Sequence, residues 1–566
     1  MRHLLQTTSL VFAGLLPLIN AAAAADASPD LILYNGNIIT MDEEKPVAQA
    51  LAISGQKIIA VGDDALADRL KTNETRIIDL KGKTVIPGLV DTHIHAIRGG
   101  QTYTFETYWY DKTKLSDALT ALQEAAAGKQ KDEWVAVVGS WLPEQFEEKR
   151  APNVAELSAA VPDHPVYVQY LYDYALVNDK GIEVLRLNEA APALPQGITV
   201  ERDAHGKATG KLLGHIGSYN ALFSAIAPAD NEQRLRSLQI FFSDLNRAGM
   251  TGFIDPSAGP SSAYEALFAL QRAGKLTIRA GYRIPAMKPG AEAEWFENIM
   301  AFRQPYYDTG MVSFVGIGES IVAAMNDGVQ MGPGFQSSQK AKDELRKVAT
   351  FAAEGKIPLE IHAYTDDAAS DILDVFEAVN TTHPLKDLRW SLAHLNTGSE
   401  NTLERMKKLG LSYTVQMGPY FEGPAILKAN GAEVAAKSPP TRAAIDKDIL
   451  VAGGTDSTRI GVFGVWQAIE YHVTGRSLGG AIQKPRDQLL SREEALELYT
   501  KNAAWIGFAE KTRGTLEAGK LADLAVLDKP YLTMPADEID SVRSVLTIVN
   551  GHVVYDNLRE TPATAQ

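Results

Sequence analysis

Eight apolar runs, each about the length of a strand, recur along the middle of this 566-residue chain, and helical patterns separate most of them. They occupy residues 84–95, 252–255, 276–284, 311–319, 358–363, 389–394, 411–417 and 449–456. Parallel strands need long crossovers, usually helices, so this alternation predicts a parallel sheet wrapped by helices. Eight repeats in roughly 400 residues predict a TIM-like (β/α)8 barrel, whose functional site lies at the C-terminal ends of its strands. A doubly wound open sheet is the alternative, but no Gly-rich phosphate loop supports it. Helical patterns at 337–354 and 367–379 fit the crossovers, and Ser491-Arg492-Glu493-Glu494 has capping-box spacing for the helix after the last strand.

Both chain ends depart from this rhythm. Short apolar segments with turn punctuation fill residues 29–83, including expected hairpins at 31–40 and 48–61. The same style returns at 514–558, around Asn550-Gly551. The expectation is one discontinuous β-sandwich domain built from both ends, flanking a barrel domain at 84–513. Residues 99–250 interrupt the barrel between its first two strands. An insertion that long at the catalytic end is expected to form a cap over the substrate pocket, and it includes the helical pattern at 231–247.

If the barrel reading holds, the residues that close each strand define the chemistry. The first strand closes with His93-Ile94-His95; two imidazoles at i and i+2 on a strand point to one side. The fifth closes near His362, the sixth with His394 and the eighth with Asp456. Four of the eleven histidines thus fall at strand ends, together with a terminal carboxylate. Such a set can hold a divalent metal, which lowers the pKa of bound water to roughly 7 and polarises a carbonyl. The chain has no cysteine, so a transition-metal site must be built from His and carboxylates, which suits zinc in a hydrolytic centre.

The run Ile86-Pro87-Gly88-Leu89-Val90-Asp91-Thr92-His93-Ile94-His95 strongly resembles the first metal motif of the amidohydrolase superfamily, and residues 514–528 resemble its return into the β-sandwich. The long insertion, with Gly139-Ser140-Trp141 and Ala151-Pro152-Asn153, is most similar to the amidohydrolase 3 (YtcJ-like) branch. The resemblance implies that His93 and His95 bind a buried metal with Asp456. It implies that His362 and His394 bind a second ion, or that one of them meets the substrate if there is a single ion. It also makes Asp456 the general base that takes a proton from water and passes it to the leaving nitrogen. Many relatives carry a carbamylated lysine at the end of strand four; here Glu319 stands at that strand end, as an unmodified carboxylate able to bridge.

Substrate contacts are expected from Tyr103, Trp141, Tyr172, Tyr174, Tyr364, Gln416 and Arg459, with aromatic rings enclosing an apolar portion and Arg459 pairing with a carboxylate. Relatives often place a histidine near Asp173 or Tyr174, and this chain has none there. The net charge of −15 argues against nucleic acid as a partner. At the N-terminus, Arg2 and His3, an apolar stretch at 10–19 and the alanines at 21–25 form a secretory signal pattern, predicting cleavage near Ala25 and a periplasmic or secreted protein with no membrane attachment afterwards. A homodimer is left open. The expected activity is metal-dependent hydrolysis of a non-peptide C–N bond, amide or cyclic amide, in a small molecule by metal-activated water, using one or two ions. A mononuclear deaminase and a catalytically silent binding or regulatory protein are the alternatives. His362-Ala363-Tyr364 lacks the H-x-x-E spacing that some deaminases show.

Overall fold

The computed structural model describes residues 28–259, 261–301, 308–459, 461 and 463–558. The signal pattern at 1–25 lies outside them. Eight parallel strands carry the middle of the chain in two four-stranded sheets. The first sheet contains β1 (Leu89–Asp91), β2 (Met250–Asp255), β3 (Arg279–Ile284) and β4 (Val312–Ile317), paired in that order. The second contains β5 (Glu360–Thr365), β6 (Ser391–Thr397), β7 (Ser412–Val415) and β8 (Val451–Gly453). A single parallel bridge, Ile317 to Leu359, links β4 to the start of β5. Across the other junction the Thr92 amide donates to the Gly453 carbonyl at 3.0 Å, and the Asp456 amide to the His93 carbonyl at 2.8 Å.

Helices cover the outside of these sheets because each presents an apolar stripe to them. Gln339–Glu354 buries Leu345, Val348, Ala349 and Ala352, and Asp366–Asn380 buries Ile372, Leu373, Val375 and Phe376. Their starts are fixed by Ser338 and Thr365, whose side-chain oxygens accept the amides of Ala341 and Ala368. The capping box at Ser491 forms as well: its hydroxyl accepts the Glu494 amide at 3.1 Å, and Glu494 accepts the Ser491 amide at 2.8 Å. Among the described residues no helix is long and apolar enough to cross a membrane.

Three expectations are corrected. The first barrel run is two strands, not one: Thr84–Pro87 pairs with Asn37–Ile39 and Leu524–Leu527, and only Leu89–Asp91 joins the parallel sheet. Gly88 makes the break, and a Cβ there would sit 2.1 Å from Thr251. The hairpin expected at 31–40 does not form. Leu31–Tyr34 pairs with Ala50–Ser54 and Arg76–Asp79, whereas Asn37–Ile39 crosses into a six-stranded sheet shared with the C-terminus. Crossing lets Leu33 and Ile38 face one common apolar core with Val85, Leu524 and Leu546, which a flat hairpin would not allow. Finally, Asn231–Arg247 packs through Leu238, Phe241, Phe242 and Leu245 into the core of the parallel sheets. It packs with the parallel sheets and leads into β2, apart from the insertion's own sheet.

The rest of the insertion has its own five-stranded sheet, ordered Thr199–Arg202, Ala208–Leu213, Tyr174–Val177, Val166–Tyr170, Val135–Val138. Apolar clusters lie on both its faces, one around Tyr167, Tyr219 and Phe223, the other around Trp109, Trp141 and Phe146.

Candidate metal centre

The two leading histidines lie in a bend just past β1, so strand alternation does not aim them. Backbone bonds do. The His93 amide donates to Asp91 Oδ1 at 3.0 Å, the Ile94 amide to the Ile254 carbonyl at 3.1 Å, and the His95 amide to the Ser457 carbonyl at 2.7 Å. Asp91 also accepts the Thr455 hydroxyl at 2.6 Å, which ties the β1 end to the loop that carries Asp456. His362 and His394 come from within β5 and β6. The Gln416 side chain accepts the His394 amide.

These side chains converge. Asp456 Oδ1 lies 3.3 Å from His95 Nε2 and 3.9 Å from His93 Nε2. Glu319 sits in the middle: Oε1 is 3.3 Å from His95 Nε2, and Oε2 is 3.4 Å from His93 Nε2, 3.0 Å from His394 Nε2 and 3.2 Å from His362 Nδ1. Two groups have ligand atoms close enough to share an ion, His93–His95–Asp456 and His93–Glu319–His394. His362 belongs to neither; its Nε2 is engaged by the Gly328 carbonyl at 2.8 Å and faces Asp327 Oδ1 at 3.3 Å. His93 Nε2 and His394 Nδ1 are buried with no hydrogen-bond partner among the described residues. Buried polar atoms are nearly always paired, so orphan imidazole nitrogens at the centre of a His/carboxylate cluster fit a cation.

The electrostatics agree with that fit. Burial would raise the carboxyls of Glu319 and Asp456, yet the surrounding histidines outweigh it and hold both below the usual range. Burial and the neighbouring His362 push His394 down to about 4, which keeps a lone pair available for a metal. His93 is oriented by Glu360, whose Oε1 lies 3.0 Å from His93 Nδ1. Glu360 Oε2 in turn accepts from Ser391 at 3.1 Å, Thr414 at 3.0 Å and Arg283 at 3.4 Å. A carboxylate behind a ligating histidine fixes its tautomer and raises its basicity.

A cavity of about 170 Å³ opens onto the cluster, and Tyr172, Tyr364 and Arg459 are among the residues that line it. Tyr364 donates its hydroxyl to Asp456 Oδ2 at 3.4 Å. Gln416, Trp141, Tyr103 and Tyr174 are not among the cavity's lining residues. Gln416 is buried behind His394, which it holds. Trp141 is fully buried inside the insertion, donating to the Gln169 carbonyl at 2.8 Å, because its ring completes the Trp109–Phe146 cluster. Tyr103 donates to Asp244 at 2.7 Å and packs on Phe241, both on the helix Asn231–Arg247. Tyr174 packs against Tyr170, under the Lys211 ammonium.

A model of the amidohydrolase family matches residues 76–555. The chain belongs to this family. Over 93% of its length it is 26% identical to YtcJ of Bacillus subtilis, named as an amidohydrolase, covering 99% of that protein. It is 24% identical to an N-substituted formamide deformylase of Arthrobacter pascens, again over 93% of this chain and covering 98% of the relative. An uncharacterized metal-dependent hydrolase from Pyrococcus horikoshii has a similar fold, with a TM-score of 0.64 at 22% identity, covering 90% of this chain and 99% of that one.

Sequence reasoning about this amidohydrolase passed over Glu360, Asp327 and Arg98. Glu360 had a visible signal, since it precedes His362 by two residues on one strand and so shares its face. Asp327 had none: it arrives from a loop, where it accepts the Tyr364 and Thr365 amides at 3.0 and 2.8 Å.

Proposed function

We propose that this amidohydrolase is a metal-dependent enzyme that hydrolyses a non-peptide C–N bond, amide or cyclic amide, in a small molecule. In this reading the two parallel sheets form one closed barrel, the terminal strands a β-sandwich, and the mature protein acts outside the cytoplasm. The observation that carries it is the convergence of His93, His95, His394, Glu319 and Asp456 on one small space, with two imidazole nitrogens left unpartnered. His93, His95 and Asp456 would hold one ion, and Glu319 with His394 a second; their N/O donor set suits zinc. When bound, the metal supplies an activated water and polarises the scissile carbonyl.

The chain's own residues do the rest. Asp456, kept ionised by its histidine neighbours, takes the water's proton at Oδ2 and passes it to the leaving nitrogen. Tyr364, bonded to the same oxygen, holds Asp456 in orientation and leaves its ring against the substrate space. Cleavage of an N-formyl or N-acyl bond is the reaction class, in keeping with the name of the Arthrobacter relative.

The test is metal quantification on purified protein, wild type beside Glu319→Ala, with hydrolysis followed on a panel of N-substituted formamides, N-acyl amines and cyclic amides. Near two equivalents of metal falling to one or fewer in the variant, with chelator-sensitive hydrolysis of at least one panel member, is the expected result. Fully metal-loaded protein inert across the panel removes the hydrolase reading. One equivalent in both proteins removes the bridging role of Glu319, and His362, already engaged by Gly328, is the feature that favours that single-ion outcome.

A further inference from the structure

One turn of the insertion reaches the loop that carries Asp456. Gly139 and Ser140 follow the strand Val135–Val138, and both have left-handed backbone, with φ of +76° and +60°. Glycine adopts that region freely; a residue with a side chain persists there only where its surroundings fix it. Ser140 is fully buried, so its hydroxyl faces protein and not solvent.

One side of the turn is rooted in the core of the insertion. The Gly139 amide and the Trp141 indole both donate to the Gln169 carbonyl, at 3.1 and 2.8 Å. The other side gathers three carbonyls of the loop after Asp456. The Ser140 amide donates to the Arg459 carbonyl at 2.9 Å, and the Ser140 hydroxyl shares its proton between the Thr458 and Gly461 carbonyls, the latter at 2.8 Å. Gly139 presses so closely that a Cβ there would lie 2.1 Å from the Arg459 carbonyl oxygen.

That loop is interlaced with the leading histidines. Asp456 is itself left-handed, with φ of +57°. Its amide donates to the His93 carbonyl at 2.8 Å, and the Ser457 carbonyl accepts the His95 amide at 2.7 Å. Thr458 packs against the short helix Ala96–Gly100, where a Cβ on Gly99 would meet its hydroxyl oxygen at 2.5 Å. The histidine segment thus holds the loop from one side, and Ser140 holds it from the other.

We infer that Ser140 is a positioning residue for Asp456: by fastening the Thr458, Arg459 and Gly461 carbonyls to the insertion, it keeps the Asp456 carboxylate against His93 and His95. A glycine at 140 would shape the turn without strain, so what serine adds is the hydroxyl. Three hydrogen bonds from one buried residue over-determine the loop, which lets the left-handed backbone of Asp456 persist. Asp456 acts as a base only in the hydrolase reading, so the catalytic half of the inference rests on that reading; the clasp itself does not.

The experiment compares full-length wild type, Ser140→Ala and Ser140→Gly, first by amide hydrogen exchange on chelated protein, resolved by fragmentation mass spectrometry, and then by amide hydrolysis with zinc restored. Both variants are expected to speed exchange of the Asp456 and His95 amides about 10-fold, with the helix Gln339–Glu354 unchanged. Both should lower kcat about 10- to 100-fold with KM within about twofold, because a displaced base costs turnover and not substrate binding. Unchanged exchange at Asp456 overturns the inference, as does exchange that rises equally in Gln339–Glu354, which reports global loosening. Wild-type behaviour of Ser140→Gly beside an impaired Ser140→Ala overturns it too, because backbone shape alone then accounts for the residue. So does an unchanged kcat, whatever happens to KM. Wild type inert across the amide panel removes the hydrolase reading, and the exchange rates still decide the clasp.

Discussion

The two ends of the parallel strands treat buried charge in opposite ways. At the start of β3, Arg279 has every side-chain nitrogen satisfied: Nε donates to Asp523 Oδ2 at 2.6 Å, Nη2 to Asp523 Oδ1 at 3.1 Å and to Asn550 at 2.9 Å, and Nη1 to the Gly310 carbonyl. That closed network fastens the parallel strands to the terminal β segments. At the C-terminal ends, imidazole nitrogens of His93 and His394 are left without partners around Glu319 and Asp456. Burying polar atoms unpaired costs stability and persists where something else completes the set. A saturated network is an anchor; an unsaturated one is a site.

Asp456→Asn should give the largest effect, a fall of about 1000-fold in the rate of amide hydrolysis with the thermal melt little changed, because proton transfer is lost while the fold is kept. Steady-state rates and a melting curve on the same preparation check both halves. Arg279→Met should do the reverse. It leaves Asp523 buried and unpaired, a loss of about 3–5 kcal/mol read by urea denaturation, with metal content per folded molecule unchanged. If Arg279→Met instead strips metal while stability holds, the division between the two ends is wrong.

Glu360→Gln should weaken metal binding by about 10- to 100-fold, measured by competition with a chromophoric chelator, because His93 loses the carboxylate that orients it. The same residue predicts an acid limb. Burial pushes Glu360 upward, but the Arg283 charge and the His93 and Thr414 contacts outweigh it and bring the carboxyl from 4.5 to about 2. A folded pKa below the unfolded one stabilises fully above about 4.5, and that contribution fades as the pH falls from there towards about 2. Denaturant melts of chelated protein between those values should show the decline, and Glu360→Gln should flatten it. The smallest effect belongs to Tyr103→Phe, about 1 kcal/mol of stability from the lost bond to Asp244 with substrate KM unmoved. A raised KM would return Tyr103 to the pocket.

Much of the candidate site was legible because metal-binding chemistry needs particular residue types at strand ends, and His93, His95, His394 and Asp456 could be read in order along the chain; His362 could be read as well but lies in neither candidate ligand group. Glu319 was legible too, as the carboxylate standing at the end of β4. The placement of three aromatic residues was not. Trp141, Tyr103 and Tyr174 are residue types that suit a pocket, but a large ring is as well suited to packing against other rings, and sequence carries no record of which way it faces.

By itself the sequence determined the alternation of strands and crossovers, the absence of thiol ligands and the His/carboxylate chemistry, because periodicity and residue type are local properties. Tertiary structure alone decided that Thr84–Pro87 leaves the parallel strands at Gly88, that His362 turns its Nε2 to Gly328, and that Arg98 and Arg459 line one cavity. Each of those outcomes depends on residues far apart in the chain competing for the same space, and close packing settles such contests only once the whole core is assembled.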